Sequence, residues 1–223
     1  MHRMVGSMFL SMLGSIALAQ QAPVPVEQEP HHRVILKNDS VLAMRVTLAP
    51  GESTLYHTHS HDRVAVELGD TTITQQEPGK PEGQTETVKP GDVRASTRGE
   101  APYSHRVKNV GAKLFDVIDV ELLERPEQPS APVAGVHLFV ENPSARVYKF
   151  TLAPGAVSIM HTHERPYLIV AASTMMLKMT APDGKSATHE IKAGDFHWVD
   201  SKVTHALANE GTTEGQIVEI ELK

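Results

Sequence analysis

Thr47-Leu48-Ala49-Pro50-Gly51, followed after five residues by His57-Thr58-His59, decides how this chain is read. Both pieces return unaltered 104 residues later, as Thr151-Leu152-Ala153-Pro154-Gly155 and His161-Thr162-His163. Working outward, Lys89-Pro90-Gly91-Asp92 returns as Lys192-Ala193-Gly194-Asp195, 103 residues on. His105-x-x-x-Asn109-x-Gly111 returns as His205-x-x-x-Asn209-x-Gly211, and Val117–Leu122 as Ile217–Leu222, both 100 residues on. The spacing shrinks only where loops are expected, around Gln75–Thr87 against Ala181–His189. Matches in one order through two halves mean a tandem duplication.

Each half reads as short strands. In the first these are Val34–Leu36, Leu42–Leu48, Val64–Leu68, Thr71–Gln75 and Leu114–Leu122, bounded by Pro-Gly and Gly-Asp turn signals. In the second they are Val136–Val140, Val147–Leu152, Leu168–Ala172, Met175–Thr180 and Gln216–Leu222. After the first residues no segment keeps a 3.6-residue apolar period. The expectation is an all-β chain, a sandwich or barrel in each half. Its parts are a signal peptide over 1–19, an extended Pro-rich arm over 20–32 and a first domain over 33–124. A Pro-broken linker follows over 125–132 and a second domain over 133–223. Halves of this size gain stability by packing together.

The signal peptide rests on the apolar stretch Met4–Leu18 after Arg3, closing on Ala17-Leu18-Ala19. That stretch is short for a bilayer span, so the expectation is a periplasmic or secreted protein with no stable membrane anchor after cleavage; an uncleaved anchor is the alternative. With 21 Lys and Arg against 27 Asp and Glu, a net charge of −6 argues against nucleic-acid partners. The absence of Cys removes disulfides, thiolate zinc sites, iron–sulfur clusters and cysteine nucleophiles. Histidine is plentiful, at 13 residues.

Along a strand, residues i and i+2 share a face about 6.6 Å apart. Two imidazoles so placed converge on one ion at bonds of about 2.0–2.1 Å. His57 with His59, and His161 with His163, have this spacing. His105 and His205, at matching places in the repeat, are the candidates for a third ligand in each half. A single His-x-His is ordinary surface polarity; its recurrence in register is not.

These residues resemble the cupin superfamily. Its first motif opens with Gly, five residues and His-x-His, as Gly51 to His59 and Gly155 to His163 do. Its second runs from Gly through a Pro-containing turn to His-x-x-x-Asn, matched by Gly91, Pro102, His105 and Asn109. Gly194, His205 and Asn209 match it in the second half without the Pro. The resemblance covers about Val34 to Leu222 and implies a bicupin, two tandem jelly-roll β-barrels with a metal in each mouth.

Two departures stand out. Where the family usually places a glutamate, this chain has Arg63 or Val64 in one half and Tyr167 or Leu168 in the other. The expectation is therefore His-only sites, with up to two divalent transition metal ions per chain. Iron or copper is favoured, with zinc, nickel and manganese also compatible. Arg63 reads either as a residue on the His59 face, repelling the ion or clamping a substrate carboxylate, or as a solvated surface residue. Tyr167 reads either as a hydrogen-bond donor beside the metal or as an interior tyrosine. Glu67 shares the parity of His59 further along the strand. Of His197 and Trp198, one faces the cavity. His31, His32, His137 and His189 lie outside the motifs and are expected at the surface.

The function expected is a metal-dependent oxidoreductase of dioxygenase type, acting on a small organic or sugar-like substrate. A non-catalytic binder of a small ligand or metal is the alternative from another class. Isomerase or decarboxylase chemistry ranks below both, because neither motif supplies a clear acid or base. The partner expected is a small-molecule substrate, and a homodimer is left open.

Overall fold

The computed structural model describes residues 22–223 apart from Gly99, Glu100 and Gln128. The expected signal peptide lies outside the described residues. Among them no helix is long and apolar enough to cross a membrane.

The structure is all-β. The first half contains β1 (Val24–Pro25), β2 (His32–Lys37), β3 (Val41–Leu48), β4 (His57–His59) and β5 (Asp62–Glu67). It continues with β6 (Thr71–Gln76), β7 (Glu86–Val88), β8 (Val93–Ser96), β9 (Tyr103–Asn109) and β10 (Phe115–Leu122). The second half repeats the plan as β11 (Leu138–Glu141), β12 (Ala145–Leu152), β13 (His161–His163), β14 (Tyr167–Ala171) and β15 (Met175–Thr180). It ends with β16 (Ser186–Ile191), β17 (Phe196–Val199), β18 (Val203–Asn209) and β19 (Gly215–Leu222). Each half folds into two facing sheets in jelly-roll order. The outer sheets are β1-β4-β9-β6-β7 and β13-β18-β15-β16, and the inner sheets are β2-β3-β10-β5-β8 and β11-β12-β19-β14-β17.

The inner sheets are buried on both faces, since they also pack on each other. One apolar cluster joins Val64, Val66, Ile118 and Val120 of the first half to Leu168, Val170, Val218 and Ile220 of the second. Separate clusters fill the two barrels, around Val46, Ile73, Val107 and Val117 in one and Leu152, Ile169, Leu207 and Ile217 in the other. Polar ties cross between the halves at the edge. Ser144 Oγ donates to buried Asp62 at 2.8 Å, Arg125 of the linker pairs with the same carboxylate, and Lys149 Nζ donates to the Gly91 carbonyl at 2.6 Å.

The repeated turns have local causes. Gly91 and Gly194 sit at positive φ, 82° and 88°, where a side chain would be strained. The aspartate after each closes the turn, accepting from the Lys89 and Lys192 backbone N–H groups at 2.9 and 2.8 Å. Buried Asn109 and Asn209 bind the carbonyls of Leu48 and Leu152, so the Asn of each motif organises a turn and ligates nothing.

The arm becomes part of the first barrel. Val24–Pro25 pairs in parallel with β4, and Val26 packs with Leu42 and Met44.

Because one core serves both halves, they should unfold together. Truncation of Ile220 to Ala should cost about 2–5 kcal/mol and lower a single urea transition followed by circular dichroism. Two transitions, with only one shifted, would contradict the shared core.

Candidate metal centres

Antiparallel pairing sets the histidines in place. His57 lies directly opposite His105 across β4 and β9, and His161 opposite His205 across β13 and β18. His59 and His163 share the face of their i−2 partners, so each outer sheet presents three buried imidazoles to its barrel interior.

In the second barrel a carboxylate meets them from the opposite sheet. One donor atom each from His161, His163, His205 and Glu219 lies within 4.8 Å of the others. Glu219 Oε2 is 2.9 Å from His163 Nε2 and 3.4 Å from His161 Nε2, while Oε1 is 3.3 Å from His205 Nε2. The Nε2 atoms of His161 and His205 are 3.0 Å apart. The expected His-only site is therefore corrected in this half. The acid comes from the last strand and not from the first motif, because the alternation of β19 turns Glu219 and Glu221 into the barrel while Val218 and Ile220 face the other half.

The hydrogen positions test whether an ion fits. His161 Nδ1 donates to the Ile159 carbonyl at 3.0 Å and His163 Nδ1 to Glu221 at 2.5 Å. In the neutral rings each Nε2 is then left with a lone pair aimed at a carboxylate that also carries only lone pairs. Such an arrangement, fully buried, calls for a cation at its centre. The residues fit a divalent ion, with Glu221 fixing the ring of a ligating histidine from behind. The same demand shows in the titrations. Without an ion a proton meets it: burial opposes a charged His163, but the hydrogen bonds it donates to Glu219 and Glu221 outweigh this and hold its pKa up at about 9. Burial likewise opposes the charge on Glu219, and the three histidines pull it well below the usual carboxylate range.

Tyr167 stacks on His163 with ring centroids 4.0 Å apart, and its buried hydroxyl has no hydrogen-bond partner among the described residues. Burial, with Glu219 and Glu221 adding to it, raises its pKa. Phe150 stacks on His161. A cavity of about 360 Å³ lies at the mouth, lined by Ala131–Ala134, where the linker enters the second half, and by Met160, His161, Thr162, Glu164 and Glu221.

The first barrel has diverged. His59 and His105 bring Nε2 atoms within 3.2 Å, and His57 stacks edge-on to His105 with centroids 4.6 Å apart. At the place of Glu219 stands Asp119, one methylene shorter and 4.0 Å from His59 Nε2. At the place of Tyr167 stands Arg63. It is not a solvated surface residue: Nη1 lies 3.2 Å from His59 Nε2, and Nε pairs with Asp119 at 3.1 Å. Burial, then the Arg63 charge, drives the His59 pKa far below its ordinary value. Burial and neighbouring His32 push His57 down to about 4. Glu67 pairs with Arg94 beside a small cavity that His57, His59 and His105 also line, and burial lifts it to about 7 against Arg94 and Arg63.

His32, expected at the surface, is buried against His57. His31 is half-buried, and His137 and His189 are exposed. His197 is exposed, and Trp198 packs against the core between the halves, so neither lines a barrel centre.

Comparison with solved structures fits this architecture. The chain matches AerE from Microcystis aeruginosa at TM-score 0.60 and 14% identity, covering 90% of this chain and 98% of that one. It matches a cupin 2 conserved barrel domain protein from Leptotrichia buccalis at TM-score 0.51 and 16% identity, covering 85% and 87%. A variant of oxalate decarboxylase from Bacillus subtilis matches at TM-score 0.50 and 15% identity, covering 82% and 69%. The likeness is one of fold: each half of the chain has the jelly-roll architecture of these cupin structures, in tandem. No protein-family model and no curated sequence matches it.

Two outcomes follow from the titrations and the ligand set. Replacing Glu219 with Gln should weaken Fe(II) or Co(II) binding in the second barrel at least about tenfold, measured by competition with a chelator. In metal-free protein, the stability that depressed His57 contributes is present above pH 6.5 and lost as pH falls through about 4. That from raised His163 is present below pH 6.5 and lost as pH rises through about 9. The urea midpoint should therefore fall on both flanks, and a midpoint flat from pH 4 to 9 would contradict both assignments.

Proposed function

We propose that the chain is an exported, metal-dependent oxidoreductase of dioxygenase type, with its working centre in the second barrel and a small, oxygen-bearing organic substrate. The observation that carries this reading is the buried set His161, His163, His205 and Glu219, whose ligand atoms converge within 4.8 Å of one another around a charge that only a proton or a metal ion can balance. A redox-active ion such as iron, or copper, held by these four would supply electron transfer between substrate and dioxygen in one coordination sphere.

The chain's own residues do the rest. Glu219 lowers the net charge of the centre and spans all three histidines. Glu221 keeps His163 Nδ1 protonated and its Nε2 free to ligate. Phe150 and Tyr167, stacked on His161 and His163, wall the centre with apolar surface and exclude water. The mouth cavity, in the size range of small-molecule sites, brings a substrate to His161 and Glu221.

A second reading, a non-catalytic binder of metal or a small ligand, is favoured by the closure of the centre: His163 and Glu219 are 0% exposed. The two separate in one assay. Fe(II)-loaded protein should consume oxygen with a member of a panel of small hydroxy acids, phenols and sugars, and His161→Ala should abolish turnover while circular dichroism is unchanged. Saturable binding without oxygen uptake for the whole panel, with iron and with copper, would leave the binder.

A further inference from the structure

His32 opens β2, where the expected arm ends and outside both repeated motifs, and it is buried with its ring centroid 4.5 Å from that of His57. One nitrogen each from His32, His57 and His59 lies within 4.8 Å of the others. Each ring is held from behind. His32 Nδ1 donates to buried Glu29 at 2.6 Å, His57 Nδ1 to the Leu55 carbonyl at 3.0 Å, and His59 Nδ1 to Glu121 at 2.9 Å. Glu29 is fixed in turn by the backbone N–H groups of His31 and Leu55, at 2.8 and 3.0 Å. With Nδ1 protonated on all three, the lone pairs left are those of Nε2. The cavity these residues line is about 30 Å³, room for an ion and a water and far too small for an organic ligand.

We propose that the first barrel binds a late first-row transition-metal ion, of the zinc or copper kind, through Nε2 of His32, His57 and His59. The ion would thereby tie β2 of the inner sheet to β4 of the outer sheet. An all-imidazole set with oriented rings suits these ions. The charged side chains lining the cavity are Arg63, Arg94, Glu67 and Asp119. Arg94 is paired with Glu67, so Arg63 is the charge that matters. Its Nη1 donates to His59 Nε2 at 3.2 Å, occupying one of the three lone pairs, while its Nε pairs with Asp119. Ion and guanidinium compete for His59, and Arg63 has to turn away for the ion to bind, leaving Asp119 to balance the new charge. The inference is independent of the chemistry in the second barrel.

The test uses the full chain with the second barrel disabled by His161→Ala and His163→Ala, stripped of metal and titrated with Zn²⁺ against a chromophoric chelator. One Zn²⁺ per chain is expected. Adding His32→Ala should weaken it at least about tenfold, and adding Arg63→Ala should tighten it, a gain that misfolding cannot produce. Hydrogen exchange over residues 24–32 should slow on adding Zn²⁺ only when His32 is present. No Zn²⁺ bound with or without Arg63, or equal affinity with and without His32, overturns the proposal; the latter would place any ion on His57, His59 and His105.

Discussion

Strands β10 and β19 have no free face. Every second residue of each is committed to the apolar seam between the halves, through Ile118, Val120 and Leu122 on one side and Val218 and Ile220 on the other. The period of a strand is two, so the residues between them must point into a barrel. Those residues include Asp119, Glu121, Glu219 and Glu221, all buried. An unpaired buried carboxylate is costly, and the neighbours available to it are the imidazoles of the facing sheet. The seam thus forces the acids and the histidines into one chamber.

The two chambers meet that demand in different ways. In the second barrel the longer Glu219 reaches all three histidines and leaves room for an ion between them, with Tyr167 stacked alongside. In the first, Asp119 falls short and Arg63 supplies a resident positive charge. Two positions in the repeat, Glu219 against Asp119 and Tyr167 against Arg63, separate a centre whose histidines converge on a carboxylate from one with a guanidinium seated against them. The conserved chemistry of the scaffold lies behind the ligands: Glu121 and Glu221 each accept from the second histidine of the pair.

The duplication, the strands and the six motif histidines were legible because each follows from spacing: matched offsets, alternation, and i, i+2 placement. Glu219 was not, since no spacing links the last strand to the first motif. A signal was nonetheless present. Val117–Leu122 and Ile217–Leu222 carry two acids at alternate positions in otherwise apolar strands, a pattern that makes sense only if both faces are buried. His32 was hidden for another reason. It follows a Pro-rich stretch that reads as loose arm, and its place opposite Val46 at the start of β2 carries it to the barrel. Arg63 stayed ambiguous because its partner, Asp119, lies in a distant part of the chain.

The wall separating the chambers consists of two sheets and the packed hydrocarbon between them. A molecule processed on one side has no dry passage to the other and must re-enter from bulk solvent. Duplication here did not build an assembly line. It joined two compartments back to back, each free to change its contents so long as the partition between them stays greasy and whole.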